Sequence, residues 1–98
     1  MKSVLFLKNA ETEFYEAIKF YNQERPGLGY EFAVQIDIAV RHIINFPDAW
    51  PILSGNTRKC VISRFPFCIL YLIENTKIII VAVMHMKRRP GYWKTRTE

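Results

Sequence analysis

Residues 67–85 run Phe67-Cys68-Ile69-Leu70-Tyr71-Leu72-Ile73-Glu74-Asn75-Thr76-Lys77-Ile78-Ile79-Ile80-Val81-Ala82-Val83-Met84-His85. Two runs rich in β-branched and aromatic residues, Phe67–Glu74 and Lys77–His85, are separated only by Asn75-Thr76, a pair suited to a tight reversal. The stretch therefore reads as a β-hairpin. Ile78 to Val83 is apolar at every position rather than at alternate ones, as in a strand inside a sheet with both faces covered.

Upstream, Arg64-Phe65-Pro66 reads as a corner and Arg58–Ser63 as a further strand. Before that the apolar period changes from two to three or four. Phe32, Ile36, Ala39, Val40 and Ile43 form one stripe of a helix expected from about Gly29 to Asn45, with Asp37 and Arg41 spaced for an exposed i,i+4 ion pair and Phe46-Pro47 ending it. Arg25-Pro26-Gly27-Leu28-Gly29 separates this helix from an earlier one whose stripe is Ala10, Phe14, Ala17, Ile18 and Tyr21. Asn9 is the expected N-cap, with Glu11 and Glu13 suited to the positive end of the helix dipole. Val4–Leu7 reads as a short first strand. The expected fold is α+β in the order β-α-α-β-β-β, an antiparallel-rich sheet packed against an N-terminal helical hairpin, with residues 1–98 as a single domain. The helices cover one sheet face, and the other is expected to form a groove bordered by the basic C-terminal tail.

Half of the 98 residues are hydrophobic and 23% are charged, a globular composition, and the formal net charge is +5. That charge favours acidic partners, whether nucleic acid, an anionic protein surface or an acidic peptide, and does not choose among them. Cys60 and Cys68 lie in apolar runs without a Cys-x-x-Cys pair or a nearby histidine cluster, so they read as buried thiols of a reducing compartment rather than metal ligands. Val4–Leu7 is too short for a signal-peptide core and Ile78–Met84 too short to span a bilayer. A cytoplasmic protein with no membrane partner is expected.

Most enzyme signatures are missing. There is no phosphate-cradling glycine loop, no metal-ligand spacing and no Ser/His/Asp pattern; His42 and His85 lie far apart in sequence. No metal and no cofactor are expected. The informative segment is His85-Met86-Lys87-Arg88-Arg89-Pro90-Gly91-Tyr92-Trp93-Lys94. Lys87, Arg88, Arg89, Lys94 and Arg96, mixed with Tyr92 and Trp93, make a cation-plus-aromatic surface suited to phosphates and stacked bases or to a protein hot spot. The competing reading is a solvated basic tail with Tyr92 and Trp93 packed on the core. Arg58, Lys59 and Arg64 are further bases near the same sheet; Arg58 and Arg64 extend the patch if the strand register turns them to the open face, and a one-residue slip reverses that.

Taken in order, several residues resemble the ParE branch of the RelE/ParE toxins. They are Ala10, Glu16-Ala17 and Tyr21; Pro26-Gly27-Leu28-Gly29; Phe32 and Ile36-Asp37 with Ala39; Pro47; Arg58; Phe65-Pro66-Phe67 with Ile69 and Tyr71; and Ala82-Val83-Met84-His85 leading to Arg89-Pro90 and Trp93. The resemblance implies a toxin paired with a ParD-like or similar antitoxin, whose disordered segment folds onto the toxin's sheet and helices. A toxin–antitoxin heterotetramer is among the assemblies it implies, and contact with DNA would be indirect, through the antitoxin or the target.

Within that superfamily ParE-like members poison DNA gyrase, whereas RelE-like members cut messenger RNA on the ribosome. In a Gly-Tyr-Arg-Leu-Val-Tyr type strand of the ribonucleases the arginine is catalytic. The corresponding stretch here is Pro66-Phe67-Cys68-Ile69-Leu70-Tyr71, with Cys68 at the arginine position, and a thiol carries no permanent positive charge for a phosphate. The gyrase-directed reading leads, with Arg88, Arg89, Tyr92, Trp93 and Lys94 as exposed target contacts. Removing Lys87–Glu98 is then expected to abolish toxicity and leave the core folded. The ribosome-dependent endoribonuclease is the alternative, with Arg58, Arg64, His85 and Arg88 holding the phosphate and Tyr92 stacking on a base. An inactive relative that only binds antitoxin is the third reading.

Overall fold

The computed structural model describes residues 2–98. The expected order holds: β1 (Ser3–Phe6), α1 (Lys8–Glu24), α2 (Leu28–Asn45), β2 (Ile52–Ser54), β3 (Thr57–Val61), β4 (Phe67–Glu74), β5 (Lys77–His85) and a C-terminal 3-10 turn, Lys94–Thr97. The strands form one mixed sheet in the order β1-β5-β4-β3-β2. β1 runs parallel to β5, and the remaining pairs are antiparallel. β5 is buried from Ile78 to Met84, as its unbroken apolar run requires.

The strand β2 is not among the expected elements. It is a three-residue edge strand joined to β3 through Gly55-Asn56, with Ser54 opposite Thr57. Gly55 adopts φ 57°, a left-handed conformation that glycine enters without a Cβ penalty. The start of α1 also differs. Leu7 in extended conformation precedes the first helical residue, Lys8, and makes no side-chain cap. Asn9 therefore lies inside the first turn, and β1 passes into the helix without a capping residue.

The two helices pack closely where they meet. A Cβ on Gly29 would land on the Ile18 carbonyl oxygen and 2.7 Å from the Asn22 amide carbon, so only glycine fits there. The Gly29 N–H donates to the Asn22 side-chain oxygen at 2.8 Å, which fixes the hairpin's register. Gly27, at φ 89°, turns the chain into α2.

The sheet separates two apolar layers. Phe67, Ile69 and Tyr71 of β4 and Ile78, Ile80 and Val83 of β5 face the helices and join Ala10, Ala17, Phe32, Ile36, Ala39 and Ile43 in the main core. Phe32 meets Phe67 at 4.9 Å and Phe65 at 5.3 Å between ring centroids, within the range where edge-to-face contacts are favourable. Cys68, Leu70, Val81, Ala82 and Met84 form the other layer, together with Trp93. A register shift aids this division. Leu70 pairs with Ala82 and Tyr71 with Ile80, so Val81 is an extra residue on β5, and both Val81 and Ala82 join the second layer.

Candidate functional site

Beyond His85 the chain makes successive short turns, with Arg88 N–H donating to the His85 carbonyl, Lys94 N–H to Gly91 and Arg96 N–H to Trp93. Gly91 adopts φ 77°, which permits the reversal. The turns fold the tail back across the sheet face opposite the helices. Trp93 lands on that face and is 3% exposed. The expectation of an exposed Trp93 is thereby corrected, because its indole completes the second apolar layer. Tyr92 is half-buried beside it. The tail is a structural cover, so deleting Lys87–Glu98 would uncover Cys68, Leu70, Val81, Ala82 and Met84 rather than leave the core intact.

Between this cover and the β2–β3 edge lies a cleft of about 330 Å³, lined by apolar Leu53, Met84, Met86 and Trp93 and rimmed by Lys59, Arg88 and Lys94. Leu53 and Met86 are 45% and 41% exposed. No carboxylate lines the cleft. Arg88, Arg89 and Lys94 are exposed, as expected. An apolar floor with a basic rim suits a protein segment that offers an apolar anchor flanked by acidic groups.

Of the five residues grouped for a ribonuclease, His85, Arg88 and Tyr92 lie together, whereas Arg58 and Arg64 are engaged elsewhere. Arg58 registers with Tyr71, which packs against the helices, so its side chain turns away from the cleft. Its guanidinium donates to the Trp50 carbonyl at 2.7 Å and the Asp48 carbonyl at 3.2 Å, which holds the loop after α2. In the same region Tyr71 donates its hydroxyl hydrogen to the Pro47 carbonyl at 2.6 Å. Arg64 adopts φ 72° and donates to Glu31 of α2 at 2.7 Å. The register left open in the sequence is settled by these contacts: Arg58 and Arg64 do not extend the open-face patch. His85 lies edge-on to the Phe67 ring, 5.1 Å between centroids, and its Nδ1 accepts the Lys87 N–H. His85 and Arg88 line one shallow cleft beside Glu13 and Glu16, and Arg88 also meets Tyr92, the guanidinium carbon standing 3.9 Å from the ring centroid.

Cys68, at the position of the ribonuclease arginine, is fully buried in the layer under Trp93. Burial pushes its thiol up to about 11, against a smaller opposing influence of Lys59.

Two residues at the site carry roles not expected from sequence. Glu13 of α1 accepts hydrogen bonds from Arg96, Tyr92 and the Val83 N–H. Arg96 donates to both Glu13 oxygens at 2.9 and 3.0 Å, and the two side chains are 13% and 15% exposed. Burial first, and the hydrogen bond to Glu13 second, raise the Tyr92 phenol well above its ordinary value, so it stays protonated and donates to the carboxylate. Glu13 and Arg96 are 83 residues apart, and no local spacing signals their pairing.

The family described as the ParE toxin of the type II toxin–antitoxin system parDE matches residues 4–90, and the chain belongs to that family. The match ends at Pro90, so Tyr92, Trp93 and Arg96, which fasten the tail, lie beyond it. A solved structure described as the chromosomal ParDE TA system from P. aeruginosa contains a chain of similar fold, with a TM-score of 0.77 at 16% identity over 87% of this chain and 96% of that one. No curated protein matches the sequence. No helix among the described residues is long and apolar enough to cross a membrane.

Proposed function

We propose that this toxin acts without catalysis, by binding DNA gyrase and blocking its supercoiling cycle, and that a cognate antitoxin with an acidic, apolar-anchored segment neutralises it. Arg88, Arg89 and Lys94, beside the apolar cleft, are the proposed target contacts, with Tyr92 supporting Arg88. The observation that carries the choice against a ribonuclease is that Arg58 and Arg64 are held by other partners and do not join His85, Arg88 and Tyr92. Arg58 is engaged with Asp48 and the loop carbonyls, and Arg64 with Glu31. Cys68 offers a buried neutral thiol where a phosphate-stabilising cation would be needed. Loss of one preorganised group of that kind typically costs about 2.7–4 kcal/mol of transition-state stabilisation.

The test is supercoiling by gyrase in the presence of purified toxin, with and without ATP, scoring lost supercoiling and trapped cleaved DNA. The wild type is expected to inhibit, the Arg88→Ala/Arg89→Ala/Lys94→Ala variant to fold normally without inhibiting, and added antitoxin to restore supercoiling. Folded wild-type toxin that leaves gyrase untouched at large excess, yet cuts ribosome-bound message, would replace this reading with the ribonuclease one.

A further inference from the structure

We propose that Glu13 is a positioning residue for the basic tail: from α1 it fixes the Tyr92 ring, and through that ring the direction in which Arg88 faces its target. The proposal rests on the reading of Arg88 as a target contact, and its test separates the two.

The reason for a carboxylate at this place lies in the sheet. β1 pairs with β5 only as far as Phe6 opposite Ile80. There the chain leaves the sheet for α1, and the next stretch of the β5 edge has no strand beside it. Side chains take the strand's place. The Val83 N–H donates to Glu13 Oε1 at 3.2 Å, and the Val81 carbonyl accepts from Arg96 Nη1 at 3.1 Å. The Glu13–Arg96 fork thus closes the open edge and ties the last turn of the chain to the first helix.

The same carboxylate reaches, through Tyr92, the Arg88 side chain at the rim of the cleft. Glu13 Oε2 receives the Tyr92 hydroxyl hydrogen at 2.7 Å, which anchors the far end of the ring. Arg88 stands over that ring at 3.9 Å, and Arg96 lies 4.9 Å from the same centroid. Among the described residues Arg88 has no carboxylate within salt-bridge distance, so the aromatic face is what orients its guanidinium. The path from α1 to the exposed cation is therefore Glu13, Tyr92, Arg88, two contacts long. A carboxylate that only closed the sheet edge would need no phenol on its second oxygen.

The test uses the full chain and the variants Glu13→Gln, Tyr92→Phe and Arg88→Ala. The Arg88 Hε and Nε resonances are followed by NMR, gyrase inhibition is titrated, and thermal unfolding is recorded alongside. In the wild type the ring is expected to shift the Arg88 Hε resonance away from its free-arginine position. Tyr92→Phe keeps the ring and removes the bond to Glu13, so that shift is expected to shrink in Tyr92→Phe and Glu13→Gln alike. Inhibition is expected to weaken about three- to tenfold in either variant. The further loss on adding Arg88→Ala should then be smaller than in the wild-type background, as for residues acting through one another.

Tyr92→Phe keeps the Glu13–Arg96 fork, so it remains informative if Glu13→Gln fails to fold. An unchanged Arg88 resonance in folded Tyr92→Phe would overturn the proposal, as would losses from Tyr92→Phe and Arg88→Ala that simply multiply. If wild-type toxin does not inhibit gyrase, the target reading fails while the NMR comparison still decides whether Glu13 positions Arg88.

Discussion

Arg64, at the corner between β3 and β4, donates to Glu31 of α2 at 2.7 Å, and Arg25 at the helical turn reaches the same carboxylate at 3.2 Å. Arg64 adopts a left-handed backbone, φ 72°, uncommon for a residue with a side chain. Its pairing joins the sheet corner to the helical hairpin over the Phe32, Phe65 and Phe67 cluster. The Glu31 carboxyl is held below its ordinary value, first by the Arg64 hydrogen bond. A carboxyl lowered in the folded state adds stability that is fully present above its unfolded value and is lost as the pH falls through its folded value. The wild type is therefore expected to exceed Glu31→Gln in melting temperature at pH 7, and the gap should close on acidification below about pH 5. Melting curves at pH 7 and at successive acid steps check this. Both side chains are partly exposed, 54% and 37%, so the gap should be small and reduced by salt. A gap that widens in acid would contradict the pairing.

Gly29→Ala tests the helical hairpin. The added methyl meets the Ile18 carbonyl and the Asn22 amide that receives the Gly29 N–H. Either the helices separate or that bond is lost. A cost of about 1–3 kcal/mol is expected, the usual range for overpacking. Urea unfolding should show a lower midpoint with an unchanged slope. A variant as stable as the wild type would mean that α1 and α2 can part freely at this point.

Trp93→Ala removes the cover from the second apolar layer. Truncating a buried tryptophan typically costs about 3–5 kcal/mol, a large share of the roughly 5–15 kcal/mol by which a small domain is stable. Increased binding of a hydrophobic dye and a strongly lowered urea midpoint are expected. By contrast, Arg89→Ala at an exposed position should leave the unfolding free energy within about 0.5 kcal/mol of the wild type. Equal stability of Trp93→Ala and wild type would restore the picture of a free tail.

The parts of the fold legible in the sequence were those written in long periods. Ile78–Val83 marked the buried strand by being apolar throughout, and the two helical stripes named the residues that enter the main core. β2 is hard to read because three residues are too few to show alternation, although Gly55-Asn56 is a hairpin signal. The site was only half legible. The basic tail showed its composition, but whether Trp93 points outward depends on turns around Gly91, and the facing of Arg58 depends on its register against Tyr71. Glu13 was hidden for another reason. On a helix its placement also suits the dipole, and its partners Tyr92 and Arg96 lie at the other end of the chain.

Both thiols should be chemically silent in the native protein. Cys60 and Cys68 are buried on opposite faces of the sheet, and burial pushes each up to about 11. The thiolate is the nucleophile, and at pH 8 it is then about a thousandth of either population. Iodoacetamide at pH 8 is expected to leave both unmodified in buffer and to alkylate both in denaturing urea. Mass spectrometry after a timed quench reads the outcome. Rapid labelling of Cys68 alone in buffer would mean that the Trp93 cover lifts often.

Cys68→Arg asks whether restoring the arginine of the ribonuclease strand restores its chemistry. The position is fully buried and belongs to the apolar layer that Trp93 closes. An arginine placed there would need a carboxylate partner, and the residues that pack in that layer are Leu70, Val81, Ala82, Met84 and Trp93 with Leu7, Leu72 and Tyr92. An unpaired buried charge typically destabilises by about 3–5 kcal/mol, so the variant should unfold at much lower urea or expel the tail. It is expected to gain no cleavage of ribosome-bound message. Cys68→Ser, which adds a hydroxyl without a charge, should cost less, about 1–3 kcal/mol. A stable Cys68→Arg protein that cuts message would show that the cover opens at little cost and that Arg88 and Tyr92 can serve a phosphate after all.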